Sequence, residues 1–212
     1  MDNTLSKAFF ANMAKNQPDQ KSVKINSFND YTQYDVDFIL KYASQNTSVL
    51  DVASGTGLII NKLYDKVKDI TAVELFTDFS KFIVEAPNVI VVNQDVAKFD
   101  TKKTFDLVTM FGIMQYFNEE ESREIYKKYF NFVKKGGTII VKGQLGVKED
   151  VTVSGFSEEL KTNYYSQYRF KEKEIEMIES AGFNNSQLFD IYPKECNRWE
   201  NTHFYAIVAN KP

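Results

Sequence analysis

Cysteine is nearly absent. Cys196 is the single one among 212 residues, so no intrachain disulfide can form and a reducing compartment is expected. Histidine and tryptophan also occur once each, as His203 and Trp199. Four prolines and nine glycines are too few for a linker-rich or low-complexity chain. No apolar run approaches a membrane span, and the stretch from Met1 to Ser22 lacks a signal-peptide core. A soluble, cytoplasmic protein is expected. There is no basic excess either: 26 lysines and arginines face 29 acids, for a formal charge of −3. A nucleic-acid binder needs cations to neutralise phosphates, so no nucleic-acid partner is expected, and no membrane partner. What the chain has is apolar mass, 43% hydrophobic and 15% aromatic residues. That is enough to give one domain a full core.

A rhythm of short β-branched runs and amphipathic stretches organises the chain. The runs are Ser48–Val52, Ile70–Glu74, Val89–Val92, Phe105–Met110 and Thr138–Val141, with two more near Gln187–Ile191 and Thr202–Ala209. They are nearly continuous rather than alternating, which predicts strands buried on both faces of a parallel sheet. A helix is predicted after Asn118, an N-cap followed by three glutamates. Ile125, Tyr129, Phe132 and Val133 form its apolar face, and Lys134-Lys135-Gly136-Gly137 stops it. Another spans about Lys171 to Ala181, with Gly182 as its cap. Strands alternating with helices predict a doubly wound α/β sheet with helices on both faces, in which ligands bind beyond the carboxyl ends of the strands.

The most informative stretch closes the first strand: Asp51-Val52-Ala53-Ser54-Gly55-Thr56-Gly57-Leu58-Ile59-Ile60. Small residues between a buried strand and a helix let the backbone approach a ligand closely. A dehydrogenase fingerprint wants a third glycine where helix and strand pack together; here that place is Ile60, which weakens the dinucleotide reading. The stretch resembles the first motif of the class I, Rossmann-like S-adenosylmethionine methyltransferases, with Ala53 standing where glycine is commonest. The resemblance continues in order from about residue 36 to 210. Glu74 stands where that family places the acid for both ribose hydroxyls, 23 positions after Asp51. Asp95 matches the acid near the adenine amino group, Phe105–Tyr116 the fourth strand and its loop, and Gly136-Gly137-Thr138 the turn into the fifth. The resemblance implies a seven-stranded, mostly parallel sheet with the last strand antiparallel, and S-adenosylmethionine as cofactor. It implies cofactor contacts at Asp51, Ala53, Ser54, Gly55, Gly57, Glu74, Leu75, Asp95, Val96 and Phe111. Phe76 is a further candidate beside the adenine, with a plain core role equally open.

The acceptor is read from what is left over. If Thr202–Ala209 is the antiparallel strand, its beginning lies at the cofactor edge, so Arg198, Trp199, Asn201 and His203 are expected at the rim. His203 carries the one imidazole of the chain and is the candidate general base. Residues 144–169 have no clean period, and so long a connection in a compact domain predicts a substrate-covering lid. Tyr165, Tyr168 and Arg169 at its end are candidate acceptor contacts, as are Gln115 and Tyr116 in the fourth-strand loop. Two of the three arginines fall in these segments, which points to an anionic acceptor. Residues 1–35 are expected to form a helical cover.

Other functions lose ground on particular residues. A nucleobase amino-methyltransferase would carry an Asn/Asp-Pro-Pro-Tyr loop where Met110-Phe111-Gly112-Ile113 stands. Base-carbon chemistry would want a cysteine there. The expectation is a small-molecule methyltransferase, monomeric or homodimeric, with no metal. Its acceptor is a small metabolite such as a sugar or phosphate compound of bacterial surface-polysaccharide synthesis. The alternatives are a non-catalytic cofactor-binding or scaffolding protein of the same fold and, third, an NAD-dependent dehydrogenase.

Overall fold

Strand formation follows the apolar runs closely. The computed structural model describes residues 3–16, 19–20, 30–157, 162–196 and 200–212. In chain order the elements are α1 (Thr4–Asn16), α2 (Thr32–Ile39), β1 (Ser48–Val52), α3 (Ile60–Leu63), β2 (Asp69–Glu74), α4 (Thr77–Ser80), β3 (Val89–Asn93) and β4 (Phe105–Phe111). After them come α5 (Glu119–Phe130), β5 (Val133–Gly146), β6 (Val151–Ser157), β7 (Thr162–Tyr168), α6 (Lys171–Ser180), β8 (Asn184–Phe189) and β9 (Thr202–Asn210). Seven strands form one sheet in the order β3-β2-β1-β4-β5-β9-β8. Only β9 runs antiparallel to its neighbours, as the resemblance implies. Strand order reverses between β1 and β4, so a crevice opens beyond their carboxyl ends.

Two cores sandwich this sheet. On one face Leu50, Val108, Ile139 and Ile207 pack with Tyr126 and Tyr129 of α5 and Ile178 of α6. On the other Val49, Leu107, Ile140 and Ala206 pack with Val36 and Ile39 of α2 and Leu63 of α3. The central strands are therefore buried on both sides. β3 is not: Ile90 is 58% exposed. It is an edge strand, and a continuous apolar run does not distinguish an edge from a centre. Among the described residues no helix is long and apolar enough to cross a membrane.

The α5 N-terminus is a capping box. The Asn118 side chain accepts the Glu121 N–H at 2.9 Å, and the Glu121 carboxylate accepts the Asn118 N–H at 2.9 Å. Its C-terminus differs from expectation. The helix ends at Phe130, and Val133 already opens β5; Phe132 and Val133 fill the same core from the connection and the strand. Residues 144–169 are also more regular than the missing period suggests. β6 and β7 pair as an antiparallel ladder from Val151↔Tyr168 to Ser157↔Thr162, and α1 packs across it, with Phe9 edge-on to Tyr164.

Candidate active site

The β1 tip makes a turn of left-handed residues. Ala53, Gly55 and Gly57 have φ of 60°, 56° and 75°. Ala53 accepts a strain of about 1 kcal/mol that glycine would avoid, which is the physical reason glycine suits its place. Gly57 has a second constraint: a Cβ there would meet Ile83 Cγ1 at 2.8 Å. The turn is tied to β2 by Glu74, whose carboxylate accepts the Gly55 N–H at 2.8 Å and the Phe76 N–H at 2.9 Å. Each oxygen keeps a lone pair beyond those bonds. Burial raises the Glu74 carboxyl above its ordinary range, against backbone N–H bonds that lower it. Asp51 is buried as well and accepts the Thr109 hydroxyl at 2.6 Å. Desolvation pushes its carboxyl up to about 6, with Thr109 and Ser54 opposing. Two buried carboxylates thus face one space, and among the described residues neither has a cation partner.

That space is a cavity of about 280 Å³. At one end lie Leu75, Phe76, Asp95 and Val96, closed by Lys7 and Phe10 of α1. Lys7 pairs with Asp95 at 2.7 Å. Burial raises the Asp95 carboxyl, but Lys7 and the Ala97 N–H outweigh it and hold the group below its usual range. At the other end are Phe111, Thr32, Asp35 and Lys142. Asp35 is buried on α2 and its Oδ2 accepts from Lys142 Nζ at 3.1 Å. Tyr192 completes the group, donating to Asp35 Oδ1 at 2.7 Å and accepting from Lys142 at 2.6 Å. Burial and then the Asp35 charge drive the Tyr192 phenol far upward, so it stays protonated and donates.

Residues 49–137 match the family model described as a methyltransferase domain. The sequence matches no curated protein, but the fold has many solved counterparts. The N-methyltransferase NodS from Bradyrhizobium japonicum, solved with S-adenosyl-L-homocysteine, superimposes with a TM-score of 0.68 at 12% identity over 100% of both chains. DhpI, also with that ligand, gives 0.71 at 15% identity over 99% of this chain and 96% of its own. A methyltransferase from Clostridium acetobutylicum gives 0.64 at 14% over 97% and 99%. The chain has the class I, Rossmann-like methyltransferase fold. S-adenosylmethionine is therefore the molecule to match against this cavity.

The cavity's own residues fit that molecule. A sulfonium and an ammonium are cations, and the middle of the cavity offers the uncompensated carboxylates of Asp51 and Glu74. A vicinal diol offers two donors, and Glu74 holds two free lone pairs on a carboxylate whose plane is fixed by backbone N–H bonds. Of the ten cofactor candidates, nine line the cavity; Gly57 does not, because it packs the turn onto Ile83 instead.

The acceptor candidates are scattered. Among the described candidates Tyr116 alone lines the cavity, and Gln115 faces a separate small recess. Tyr165 and Tyr168 are buried and do not reach it. Arg169 is 1% exposed and fully engaged: it pairs with Glu174 and donates to the Phe117 and Met114 carbonyls at 2.8 Å each. It pins the loop after β4 to α6 and is not free to clamp an anion. Asn201 is exposed, its carbonyl accepting the Val147 N–H. Arg198 and Trp199 lie outside the described residues. His203 is on β9 as expected, but faces the wrong way for a base. Side chains alternate along a strand: His203 shares the face of Tyr205, Ile207 and α6, whereas Phe204 and Ala206 share that of Lys142. His203 Nε2 meets Asp190 at 2.9 Å instead.

Sequence reasoning missed Lys7, Asp35 and Lys142. Lys142 did leave a signal. It ends the apolar run Thr138–Val141 as Glu74 ends its own, and pairs in register with Phe111, the last residue of β4.

Proposed function

We propose that this protein is an S-adenosylmethionine-dependent methyltransferase acting on a small anionic metabolite, with the cofactor on the β1–β2 side of the cavity and the acceptor on the β5 side. The observation that carries the reading is the continuity of one cavity from Asp95 and Glu74 through Asp51 to Lys142. The cofactor supplies an electrophilic methyl on a sulfonium, whose departure as a neutral thioether needs no acid. Glu74 would hold the ribose diol, Asp95 and Val96 the adenine, and Asp51 with the Ala53–Gly55 backbone the cationic methionine end. Phe111 and Tyr116 would shape the space between. The chain's main contribution is to hold an acceptor oxygen in line, and positioning of this kind supplies up to about 7–11 kcal/mol. An acceptor that arrives as an anion needs no general base, which agrees with a cavity that lacks His203.

The α1 helix and the β6–β7 hairpin behind it would exclude water. Sugar phosphates and nucleotide-linked sugars of bacterial surface-polysaccharide synthesis belong to the proposed class. A second reading, an amine acceptor, is favoured by the buried carboxylate of Asp35. NodS, of the same fold, is an N-methyltransferase. Turnover of labelled S-adenosylmethionine against matched carboxylates, phosphates and amines decides between them. Methyl transfer to the anions supports the proposal; transfer to amines alone overturns it.

A further inference from the structure

The strand tips form a row that can be walked from one end of the cavity to the other. Glu74 closes β2, Asp51 lies near the end of β1, Phe111 closes β4, and Lys142 sits beside Phe111 on β5. Lys142 is therefore three strands from Glu74, roughly 14 Å at the usual strand spacing. A cation at that distance stands clear of the diol end and next to the space the acceptor would fill.

Its surroundings hold the charge in place. Among the described residues, two of the three ammonium N–H groups are engaged, one by Asp35 and one by Tyr192. The ring centroids of Phe111 and Tyr192 lie 5.1 Å and 4.8 Å from Nζ, a cation–π seat on two sides. The side chain is only 12% exposed, so whatever meets the remaining N–H does so in a largely dry setting, where charge attraction is strong. A buried ion pair with one donor left over is an odd device for stability alone, because desolvation offsets most of its Coulomb gain. It makes sense as a preformed seat. The carboxylate and phenol fix the ammonium before the ligand arrives, and Asp35 cancels its charge while the cavity is empty of acceptor.

We infer that Lys142 is the specificity-determining residue of the acceptor subsite: it receives a carboxylate, phosphate or phenolate oxygen, and Asp35 and Tyr192 are its positioning residues. This rests on the functional reading above, and the test separates the two. Wild type, Lys142→Met and Asp35→Asn are first titrated with S-adenosylhomocysteine. Affinities within about threefold of one another show that the cofactor half is intact; no binding by wild type would sink the functional reading itself. Each complex is then titrated with three probes sharing one ring: benzoate, phenyl phosphate and benzylamine.

The expected result has opposite signs. Lys142→Met weakens the two anions by at least tenfold, whereas Asp35→Asn tightens them, since it removes the carboxylate that competes for the ammonium. Benzylamine shifts the other way in both variants. A residue of merely structural importance would move both variants in one direction, so equal-signed changes overturn the inference. So does preference of the wild-type complex for benzylamine, or failure of either anion to bind it at millimolar concentration.

Discussion

The two halves of the cavity are built differently. The β1–β2 half rests on strand tips. Its carboxylates sit where strands end, and backbone N–H groups of the adjoining turn fix Glu74. The β5 half rests on side chains that meet across long stretches of sequence: Lys142 with Asp35 over 107 positions, and Tyr192 with Asp35 over 157. The first kind of site is anchored by the ladder and tolerates little variation. The second depends on which covering segments a member of the fold carries, and can be rewritten without disturbing the sheet. Solved structures at 12–15% identity share the fold, and in this chain it is the sheet that carries the first half.

The sharpest way to break the comparison is to attack the tie between the halves. Arg169 holds the loop after β4, which lines the middle of the cavity, and is buried with Glu174 and Tyr126. Arg169→Met leaves the Glu174 carboxylate buried and unpaired, and stability is expected to fall by about 3–5 kcal/mol. Denaturant unfolding checks it; a loss under about 1 kcal/mol would mean the loop is held by something else.

A somewhat smaller effect has opposite signs in the two halves. The Asp51 carboxyl, raised mainly by burial to about 6 from an ordinary 3.8, binds its proton more tightly in the folded protein. Its contribution favours folding most below about pH 4, and is lost as pH rises through about 6. At pH 7.5 the charged group opposes folding by about 3 kcal/mol, at 1.36 kcal/mol per unit. Asp51→Asn is therefore expected to raise the stability of the cofactor-free protein at pH 7.5, the gain shrinking towards zero near pH 4. Asp35→Asn strips Lys142 of its counter-charge and lowers stability at pH 7.5. Thermal unfolding of both variants across pH measures this, and a fall in both at pH 7.5 would erase the distinction.

The smallest expected effect is at His203. It pairs with Asp190 on the face of β9 away from Lys142, in a setting where ion pairs contribute at most about 1 kcal/mol. His203→Ala should leave turnover within about threefold and stability within about 1 kcal/mol. A hundredfold loss of turnover would return the histidine to the chemistry.

How much of this was legible follows the same division. Glu74 closes an apolar run, Asp51 lies one residue inside the end of its strand and Asp95 two residues beyond the end of its own, and a charge near the end of a buried strand has few places to go but the crevice. The sheet was legible for the same reason, its exceptions being local: the end of α5, and the exposure of β3. His203 lies on the strand and edge that its sequence position predicts, but the two-residue alternation turns it to the α6 side. Arg169 looked like a free clamp because sequence does not reveal that Glu174, five positions on, would be buried with it. Lys142 was marked by its place after Val141, but Asp35 and Tyr192 were not. Their meaning comes only from tertiary contact with a strand more than 100 positions from one and 50 from the other.

The Glu74 carboxylate is fixed by N–H groups of the β1 turn and of Phe76, and its proposed role is to hold a ribose diol. Calorimetric titration of S-adenosylhomocysteine into wild type and Glu74→Gln, with NAD as control, tests it most directly. Binding of S-adenosylhomocysteine by wild type, none of NAD, and a loss of about 100-fold or more in the variant are expected, the scale of one or two charge-assisted hydrogen bonds. Equal affinity of the two proteins for S-adenosylhomocysteine, or a wild type that prefers NAD, would contradict it.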